Sequence, residues 1–465
     1  MNNQQVYDVC VVGAGPGGYV AAIRAAQLGR KAIVIEKDKP GGVCLNIGCI
    51  PSKALIHQAG IFQSAAALRD LGVSVDLKGF DYQKVYAKSR KAADRLSRGV
   101  QYLLKKNEVE LVQGEVVRVR TGEVTLADGQ VIHSNNILLA TGSRPRELPA
   151  FPFDEETILS STGALMLREL PKSLLILGSG AIGVEFAHIM NAFGVEVHLV
   201  EMLDRILPLE DDEVVSILSK SFKKRGIKTY TATKASGYRE ENGLLQVELA
   251  ARDGRTENVS VDKILVSAGR LPNTGNLGLA EAGVQLDEAG FVKVNDYYQT
   301  DVPGIYAVGD IVRTPLLAHV ASKEGEIAVE HMAGHETNAR LDPLTIPAAT
   351  YCEPQIASFG YTEQQAAEKG ISVNKAIFPY HGTGKAVAAE QTDGLVKVLT
   401  DPQTGEILGA HIVGAEATEL IHELLLGRET ELLPEDIAGM IHAHPTLSES
   451  LMEVMRAVDG QPINI

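Results

Sequence analysis

Two short apolar runs near the start of the chain have the pattern of buried parallel strands. Residues 9–12 form the first run, and it leads directly into a glycine-rich turn at residues 13–18. Residues 19–28 read as a helix, and a second apolar run, residues 32–35, ends at Glu36. The order of strand, glycine turn, helix and strand predicts a β-α-β unit.

The same plan recurs further along the chain, where apolar residues 174–177 and 195–200 flank a second glycine turn and helix. Each turn has the spacing G-x-G-x-x-G, with Gly13, Gly15 and Gly18 in the first unit and Gly178, Gly180 and Gly183 in the second. From the first glycine to the acid that ends the next strand is 23 positions in both units. Two matched copies predict two nucleotide-binding units, because glycine lets the backbone approach a pyrophosphate at the helix N-terminus.

The acids at the strand ends are Glu36 and Glu201, which are placed to accept hydrogen bonds from ribose hydroxyls. Glu201 would repel a 2′-phosphate, and the nearest cation, Arg205, is four residues beyond it. The second unit is therefore predicted to bind NAD rather than NADP. A second dinucleotide in the first unit suggests FAD.

A third element is also repeated, since residues 136–145 resemble residues 263–272. Each is an apolar strand followed by a glycine, Gly142 or Gly269, and by a proline three positions later. The interval from acid to glycine is 106 positions in the first unit and 68 in the second, a difference of 106 − 68 = 38. The first unit therefore carries an insertion.

The insertion contains the cysteine pair Cys44 and Cys49, five positions apart and able to approach within disulfide distance. Lys53 follows Cys49 by four positions, so on a helix it would share that face and favour the thiolate. Metal ligation and two inert buried thiols are the alternatives, but no second Cys pair or nearby His cluster completes a tetrahedral site. No metal is predicted.

Composition narrows the class of protein. The 465 residues carry a net charge of -15 and only four cysteines, which argues against nucleic acid binding and a disulfide scaffold. No apolar run is long enough to span a bilayer, and the start, from Met1, shows no signal peptide. We expect a cytoplasmic protein or a mature organelle form, with no nucleic acid or membrane partner.

A histidine motif lies near the C-terminus, where His442, His444 and Glu449 fall within eight residues. Histidine is suited to act as a base at neutral pH. Thr446 and Glu449 also have the spacing of a capping box, which would give Glu449 a structural role. Alternating residues 394–399 and 406–413 predict a separate sheet in this part of the chain.

The motif from Gly41 to Lys53 is similar to the active-site motif of the pyridine nucleotide-disulfide oxidoreductases, most closely to the branch that oxidises dihydrolipoamide. The resemblance covers essentially the whole chain. It implies that Cys44 is the interchange thiol, that Cys49 lies against the flavin, and that Lys53 sits near the flavin's reactive nitrogen. Pairing of Lys53 with Glu185 is one reading, and a solvated Glu185 is the other. The resemblance also makes His444 the base and Glu449 its orienting acid.

The resemblance further assigns the cofactor contacts. On the FAD side these are Gly13, Gly15, Gly18, Glu36, Lys53, Val116, Thr141, Gly142, Ser143, Asp310, Ala318 and His319, and on the NAD side Gly178, Gly180, Gly183, Glu185, Glu201, Ala235 and Gly269. Val116 departs from the small residue usual in the family. Asp310 has an alternative role as a helix N-cap.

The implied fold class is α/β, with two Rossmann-like dinucleotide-binding domains for FAD and NAD and a C-terminal α+β dimerisation domain. We expect an FAD domain at 1–148, an NAD domain at 149–275, a segment completing the FAD site at 276–345 and an interface domain at 346–465. The implied enzyme is a homodimer that serves a lipoyl-bearing protein of a 2-oxo acid dehydrogenase or glycine cleavage complex. Alternatives are a glutathione- or mercuric-reductase-like enzyme and a non-catalytic flavoprotein subunit.

Overall fold

The computed structural model describes residues 5–465. Residues 1–4, on which part of the prediction about targeting rests, lie outside the described residues. Among the helices of the described part, none has the length and apolar character needed to cross a membrane.

The first unit is built on a parallel sheet. Its elements are β1 (Val6–Val12), α1 (Pro16–Gln27), β2 (Ala32–Glu36), α2 (Gly42–Ile47), α3 (Cys49–Asp70), α4 (Tyr82–Lys106), β3 (Glu110–Gln113), β4 (Val116–Arg120), β5 (Glu123–Leu126), β6 (Val131–Leu139) and β7 (Ser143–Pro145). Strands β3, β2, β1 and β6 are parallel neighbours, and β5 and β4 extend the sheet in antiparallel fashion. Helices α2, α3 and α4 lie between β2 and β3, within the acid-to-glycine interval for which the insertion was predicted.

The second unit repeats this plan. Its elements are β8 (Ile158–Leu159), α5 (Ser161–Met166), β9 (Ser173–Leu177), α6 (Ala181–Ala192), β10 (Glu196–Val200), α7 (Asp212–Lys224), β11 (Lys228–Tyr230), β12 (Thr233–Glu241), β13 (Leu244–Ala251), β14 (Thr256–Val261), β15 (Lys263–Val266) and β16 (Arg270–Pro272). Five parallel strands have the order β11-β10-β9-β15-β8, and β12-β13-β14 form an antiparallel sheet. Strand β16 pairs with β7 and so links the two units.

The remainder returns to the first sheet and then forms a third unit. Its elements are β17 (Ile305–Ala307), α8 (Ala318–Met332), β18 (Ala348–Thr350), β19 (Gln355–Gly360), α9 (Glu363–Glu368), β20 (Asn374–Pro379), α10 (Gly384–Ala388), β21 (Leu395–Thr400), β22 (Ile407–Gly414), α11 (Ala417–Glu429), α12 (Pro434–Gly439) and α13 (Glu449–Val458). Strand β17 pairs in parallel with β6. Antiparallel strands β18-β19-β22-β21-β20 confirm the separate sheet predicted near the C-terminus.

The predicted α/β fold class is therefore confirmed, and both nucleotide units have the predicted succession of strand, glycine turn, helix and strand. Strands β2 and β9 are buried along their whole length, which explains their uninterrupted apolar sequence, since helices cover both faces of such a sheet. Helix α1 begins at Pro16, three residues before the predicted start. Proline is tolerated in the first turn because its missing N–H has no partner there, so the helix can begin inside the glycine turn.

Candidate active site

The two glycine turns have the same local geometry. Gly13 and Gly178 have φ of +103° and +101°, and a Cβ at either would lie 2.4 Å or 2.6 Å from a carbonyl oxygen of the facing strand end. Any side chain larger than hydrogen would therefore be strained at these positions. A Cβ on Gly18 or Gly183 would lie 1.9 Å or 2.0 Å from the carbonyl oxygen of the first glycine, so both must be glycine for helix and strand to pack.

The middle glycines differ, because nothing lies within 4 Å of a Cβ placed on Gly15 or Gly180. Both line one large cavity. An open, side-chain-free backbone at a helix N-terminus fits a pyrophosphate, which needs close approach of backbone N–H groups. The residues present therefore fit two dinucleotides, one at each turn.

Glu36 and Glu201 support their own glycine turns. Glu36 accepts a hydrogen bond from the Ala14 N–H at 2.7 Å, and Glu201 accepts one from the Ser179 N–H at 2.9 Å. Ala14 and Ser179 occupy the same place in the two turns, directly after the first glycine. Glu36 and Glu201 thus stabilise the two turns and also line the cavity. This structural role is additional to the predicted binding of ribose hydroxyls.

The cavity has a volume of about 1730 Å³ and runs between the two units. Its wall includes both glycine turns, the redox segment with Cys44 and Cys49, and residues from β16 and α8. Pockets for drug-sized ligands usually measure about 300–1000 Å³, so this one has room for more than one large ligand. The cysteine pair and both glycine turns therefore line the same cavity.

The cysteine pair sits at the junction of α2 and α3, where Cys49 is the first residue of α3. Both residues are free thiols, and the Cys44 and Cys49 side chains are in hydrogen-bonding contact. That hydrogen bond and the charge of Lys53 lower the pKa of Cys49 to about 7, against burial and the charge of Glu185. The same contact with Cys49, together with burial, raises the pKa of Cys44. The pair therefore favours a thiolate on Cys49.

Lys53 forms an ion pair with Glu185 of α6, with Nζ at 2.9 Å from Oε1 and 3.0 Å from Oε2. The side chain of Glu185 is 8% exposed, so the alternative of a solvated helix residue is wrong. The pair connects α3, the redox helix that begins at Cys49, with α6, the helix that follows the second glycine turn.

A polar cluster lies at the wall of the cavity, where residues of the first unit meet β16. The Ser143 hydroxyl donates to Asp310, and Arg270 donates to Ser143 Oγ at 2.6 Å and to its carbonyl oxygen at 2.8 Å. Arg270 Nε also lies 3.7 Å from Asp310 Oδ2. Helix α8 begins only at Ala318, so the alternative of Asp310 as a helix N-cap is wrong.

Most of the other predicted cofactor residues also line the cavity, namely Val116, Thr141, Gly142, Ala235, Gly269 and Ala318. Val116 is buried at the start of β4, and the Thr141 hydroxyl donates to the Asn273 carbonyl oxygen at 2.7 Å. His319 does not line it, and its Nε2 lies 2.9 Å from the Pro347 carbonyl oxygen. Burial lowers the pKa of His319, so it is neutral near pH 7.

His444 and Glu449 form a second, separate site. His444 Nδ1 lies 2.9 Å from Glu449 Oε1, while Glu449 Oε2 accepts a hydrogen bond from the Thr446 N–H at 2.8 Å. Burial raises the pKa of Glu449, but the Thr446 amide and His444 outweigh it, and the carboxylate stays charged. His444 is 75% exposed and lies outside the described lining of the cavity. Within one chain the predicted base does not meet the cysteines.

The capping box proposed for Thr446 and Glu449 is only half formed. The Thr446 hydroxyl donates to the Ala443 carbonyl oxygen instead of capping the helix, and α13 begins at Glu449 itself. Glu449 thus combines a structural contact with Thr446 and an orienting contact with His444.

The chain matches a known family over most of its length. The model described as "Pyridine nucleotide-disulphide oxidoreductase" matches residues 7–325, and the dimerisation domain of the same name matches residues 346–455. The chain belongs to this family. Membership confirms the predicted class, a flavoprotein disulphide oxidoreductase with FAD and NAD as cofactors. The matched dimerisation domain supports the predicted homodimer.

Similar proteins support the prediction that the chain belongs to the branch of this family that oxidises dihydrolipoamide. A dihydrolipoyl dehydrogenase of Corynebacterium glutamicum is 42% identical, covering 98% of this chain and 99% of the relative. A dihydrolipoyl dehydrogenase of Bacillus subtilis is 43% identical, covering 98% of this chain and 97% of the relative. The crystal structure of LpdA from Mycobacterium tuberculosis has a TM-score of 0.89 at 28% identity, covering 97% of this chain and 100% of the other.

Two residues at the site, Arg270 and Tyr351, were not predicted from the sequence. Arg270 follows Gly269 in the repeated element, at the place that Ser143 holds in the first copy, so the repeat gave a signal for it. Tyr351 contacts Lys53 and Glu185, but it follows a short strand far along the chain and no spacing points to it.

Proposed function

We propose that this protein oxidises protein-bound dihydrolipoamide to lipoamide through Cys44 and Cys49 and passes the electrons by way of FAD to NAD. The observation that carries the proposal is the position of Cys44, Cys49 and Lys53 in the one cavity that both glycine turns line. The curated relatives, named dihydrolipoyl dehydrogenases, support the choice of substrate.

The reaction begins with the cysteines as a disulfide. His444 of one subunit takes the proton from one thiol of the substrate, and the carboxylate of Glu449 stabilises the imidazolium that results. The substrate thiolate attacks the Cys44 sulfur, a mixed disulfide forms, and the Cys44–Cys49 bond breaks with Cys49 leaving as a thiolate. A thiol with a pKa near 7 is a good leaving group, which suits Cys49 to this place.

The second substrate thiol then loses its proton and attacks the substrate sulfur of the mixed disulfide. The lipoyl disulfide closes, and Cys44 is released and takes up the proton that the second substrate thiol lost. The enzyme now holds the two electrons as the Cys44 thiol and the Cys49 thiolate, while His444 carries the first substrate proton. When bound, FAD supplies the two-electron chemistry that links this reduced pair to NAD.

The remaining predicted residues have positional roles in this proposal. The first glycine turn, Glu36, Thr141, Ser143, Asp310 and the segment 276–345 would hold FAD, and the second turn, Glu201 and Ala235 would hold NAD. The domain limits 1–148, 149–275 and 346–465 follow from the same assignment. His444 would serve the cysteines of the partner subunit, since it lies outside the cavity of its own chain. A lipoyl-bearing protein of a 2-oxo acid dehydrogenase or glycine cleavage complex is the proposed partner, in the cytoplasm.

The test is anaerobic reduction of the purified flavoprotein with dihydrolipoamide, in parallel with reduced glutathione. The proposal expects a long-wavelength thiolate-to-flavin absorption band with dihydrolipoamide only, and reoxidation by NAD but not by NADP. A band with glutathione and none with dihydrolipoamide would contradict the assigned substrate. Reoxidation by NADP alone would contradict the assigned nucleotide.

A further inference from the structure

Tyr351 contacts both members of the Lys53–Glu185 ion pair. Its backbone N–H donates to Glu185 Oε1 at 3.1 Å. Its aromatic ring lies beneath the ammonium of Lys53, with Nζ at 4.4 Å from the ring centroid. Tyr351 directly follows β18 and falls within the segment that matches the dimerisation domain. Three segments distant in sequence therefore meet at one ammonium group.

The ammonium of Lys53 is confined on two sides. Two hydrogen bonds run to the carboxylate of Glu185, and the ring of Tyr351 lies well within the ~6 Å at which a cation is attracted to an aromatic face. The side chain of Lys53 is 32% exposed, so without such contacts it could extend into water. Each contact offsets part of the rotamer entropy lost when a lysine side chain is fixed.

We propose that Tyr351 is a positioning residue, whose ring and backbone N–H hold Lys53 and Glu185 so that the ammonium stays beside Cys49. The third unit of the chain would thereby control how stable the Cys49 thiolate is. The proposal rests on the disulfide chemistry proposed above, but not on the identity of the dithiol substrate.

The position of the ammonium matters because Cys49 faces charges of both signs. Cys44 of α2 is in hydrogen-bonding contact with Cys49, Lys53 of α3 attracts the thiolate, and Glu185 of α6 repels it. Arg270 of β16 also interacts with the charge of Cys49. Attraction falls with distance and with exposure to water. If Lys53 swung outwards, Cys49 would lose the attraction and keep the repulsion from the buried Glu185.

Cys352, the neighbour of Tyr351, faces Glu185 but does not compete for the ammonium. It is buried, burial raises the pKa of its thiol, and it therefore remains neutral. The ring of Tyr351 is thus the group of this segment that acts on Lys53, and its backbone N–H is the one that acts on Glu185.

The experiment compares Tyr351→Leu, which removes the aromatic face, with Tyr351→Phe, which keeps it. Each holoenzyme is reduced anaerobically with dithiothreitol, and the thiolate-to-flavin band is titrated with pH. Tyr351→Leu should move the midpoint upward by roughly half a unit, about a threefold loss in the thiolate equilibrium, and Tyr351→Phe should titrate as the wild type. Tyr102→Leu is the matched control, because Tyr102 is 65% exposed on α4.

A midpoint for Tyr351→Leu equal to that of the wild type overturns the proposal, and so does an equal shift in Tyr351→Phe, since the ring face would then not be responsible. If Tyr351→Leu does not retain flavin, ring-fluorinated phenylalanines at position 351 replace it. Fluorine weakens the negative face of the ring without changing its shape, so the midpoint should rise with each added fluorine. A flat series contradicts the proposal. Dithiothreitol makes the result independent of the assigned dihydrolipoamide activity.

Discussion

Lys53 of the redox helix and Glu185 of the second nucleotide unit are 132 positions apart in sequence, yet they form an ion pair with Nζ 2.9 Å from Oε1. The pair places a positive charge beside Cys49 and a buried negative charge behind it. Together with the contact to Cys44, the balance between these two charges influences the pKa of Cys49, the thiol that is proposed to face the flavin.

Removing the ammonium should therefore raise the pKa of Cys49. In Lys53→Met we expect it to rise from about 7 by roughly one unit, because an opposite charge at this range lowers a pKa by about 1–3 units. A thiol with a raised pKa is protonated up to higher pH, so less thiolate is present at neutral pH. The pH titration of the long-wavelength band in the reduced enzyme measures this. Lys88→Met, an exposed position on α4, should titrate as the wild type, and an unshifted Lys53→Met would contradict the role of Lys53.

The two glycine turns should be separable by substitution. Gly18→Ala would place a Cβ 1.9 Å from the Gly13 carbonyl oxygen and should abolish flavin retention. Gly183→Ala makes the matching clash at 2.0 Å in the second unit and should weaken NAD binding while flavin is retained. Flavin absorbance after gel filtration and NAD titration by fluorescence distinguish them. Gly99→Ala is the control, since nothing lies within 4 Å of its Cβ and alanine should stabilise α4 by up to about 1 kcal/mol. Loss of flavin from Gly183→Ala alone would reverse the assignment.

Glu201 should determine the choice of nucleotide. In Glu201→Gln the repulsion of a 2′-phosphate is removed, while the amide oxygen can still accept from Ser179. We expect the ratio of kcat/KM for NAD to that for NADP to fall roughly tenfold, a change of about 1.4 kcal/mol. Glu240→Gln, on the exposed end of β12, is the control. An unchanged ratio would show that discrimination lies elsewhere.

The site should be shared between subunits. Cys44→Ser and His444→Gln homodimers should each lose turnover, the latter by a factor of about 10²–10⁴ for loss of a general base. After subunit exchange, half of the dimers pair a chain carrying intact cysteines with a chain carrying an intact His444. One of the two sites is then complete, so roughly a quarter of wild-type turnover should return. Absence of recovery, with exchange verified by mass spectrometry, would place His444 and the cysteines of one chain in the same site.

The parts that the sequence predicted well are those with local causes. Gly13 and Gly178 are required by a left-handed backbone and a facing carbonyl oxygen, so they recur at fixed spacing in both units. Lys53 is four residues after Cys49 on one helix, and its face follows from helical periodicity. Such constraints act within a few residues and leave a pattern in the sequence.

The parts that it could not predict depend on packing between distant segments. Tyr351 meets Lys53 only because β18 packs on α6, and Arg270 reaches Ser143 only because β16 pairs with β7. The half-formed capping box has a local cause instead, since α13 begins at Glu449 and Thr446 is not its N-cap residue. The contacts of Tyr351 and Arg270 follow from the assembled fold and not from spacing along the chain.

The most direct test of the disulfide account is the flavin spectrum of Cys44→Ser and Cys49→Ser measured beside lipoamide turnover. Both variants should lose turnover, because neither can form the disulfide. Cys44→Ser retains a thiol of lowered pKa and a hydroxyl donor next to it, so it should show the long-wavelength band without added reductant, whereas Cys49→Ser should show none. Full turnover in either variant, or the band in Cys49→Ser alone, would contradict the assignment of Cys49 as the thiolate beside the flavin.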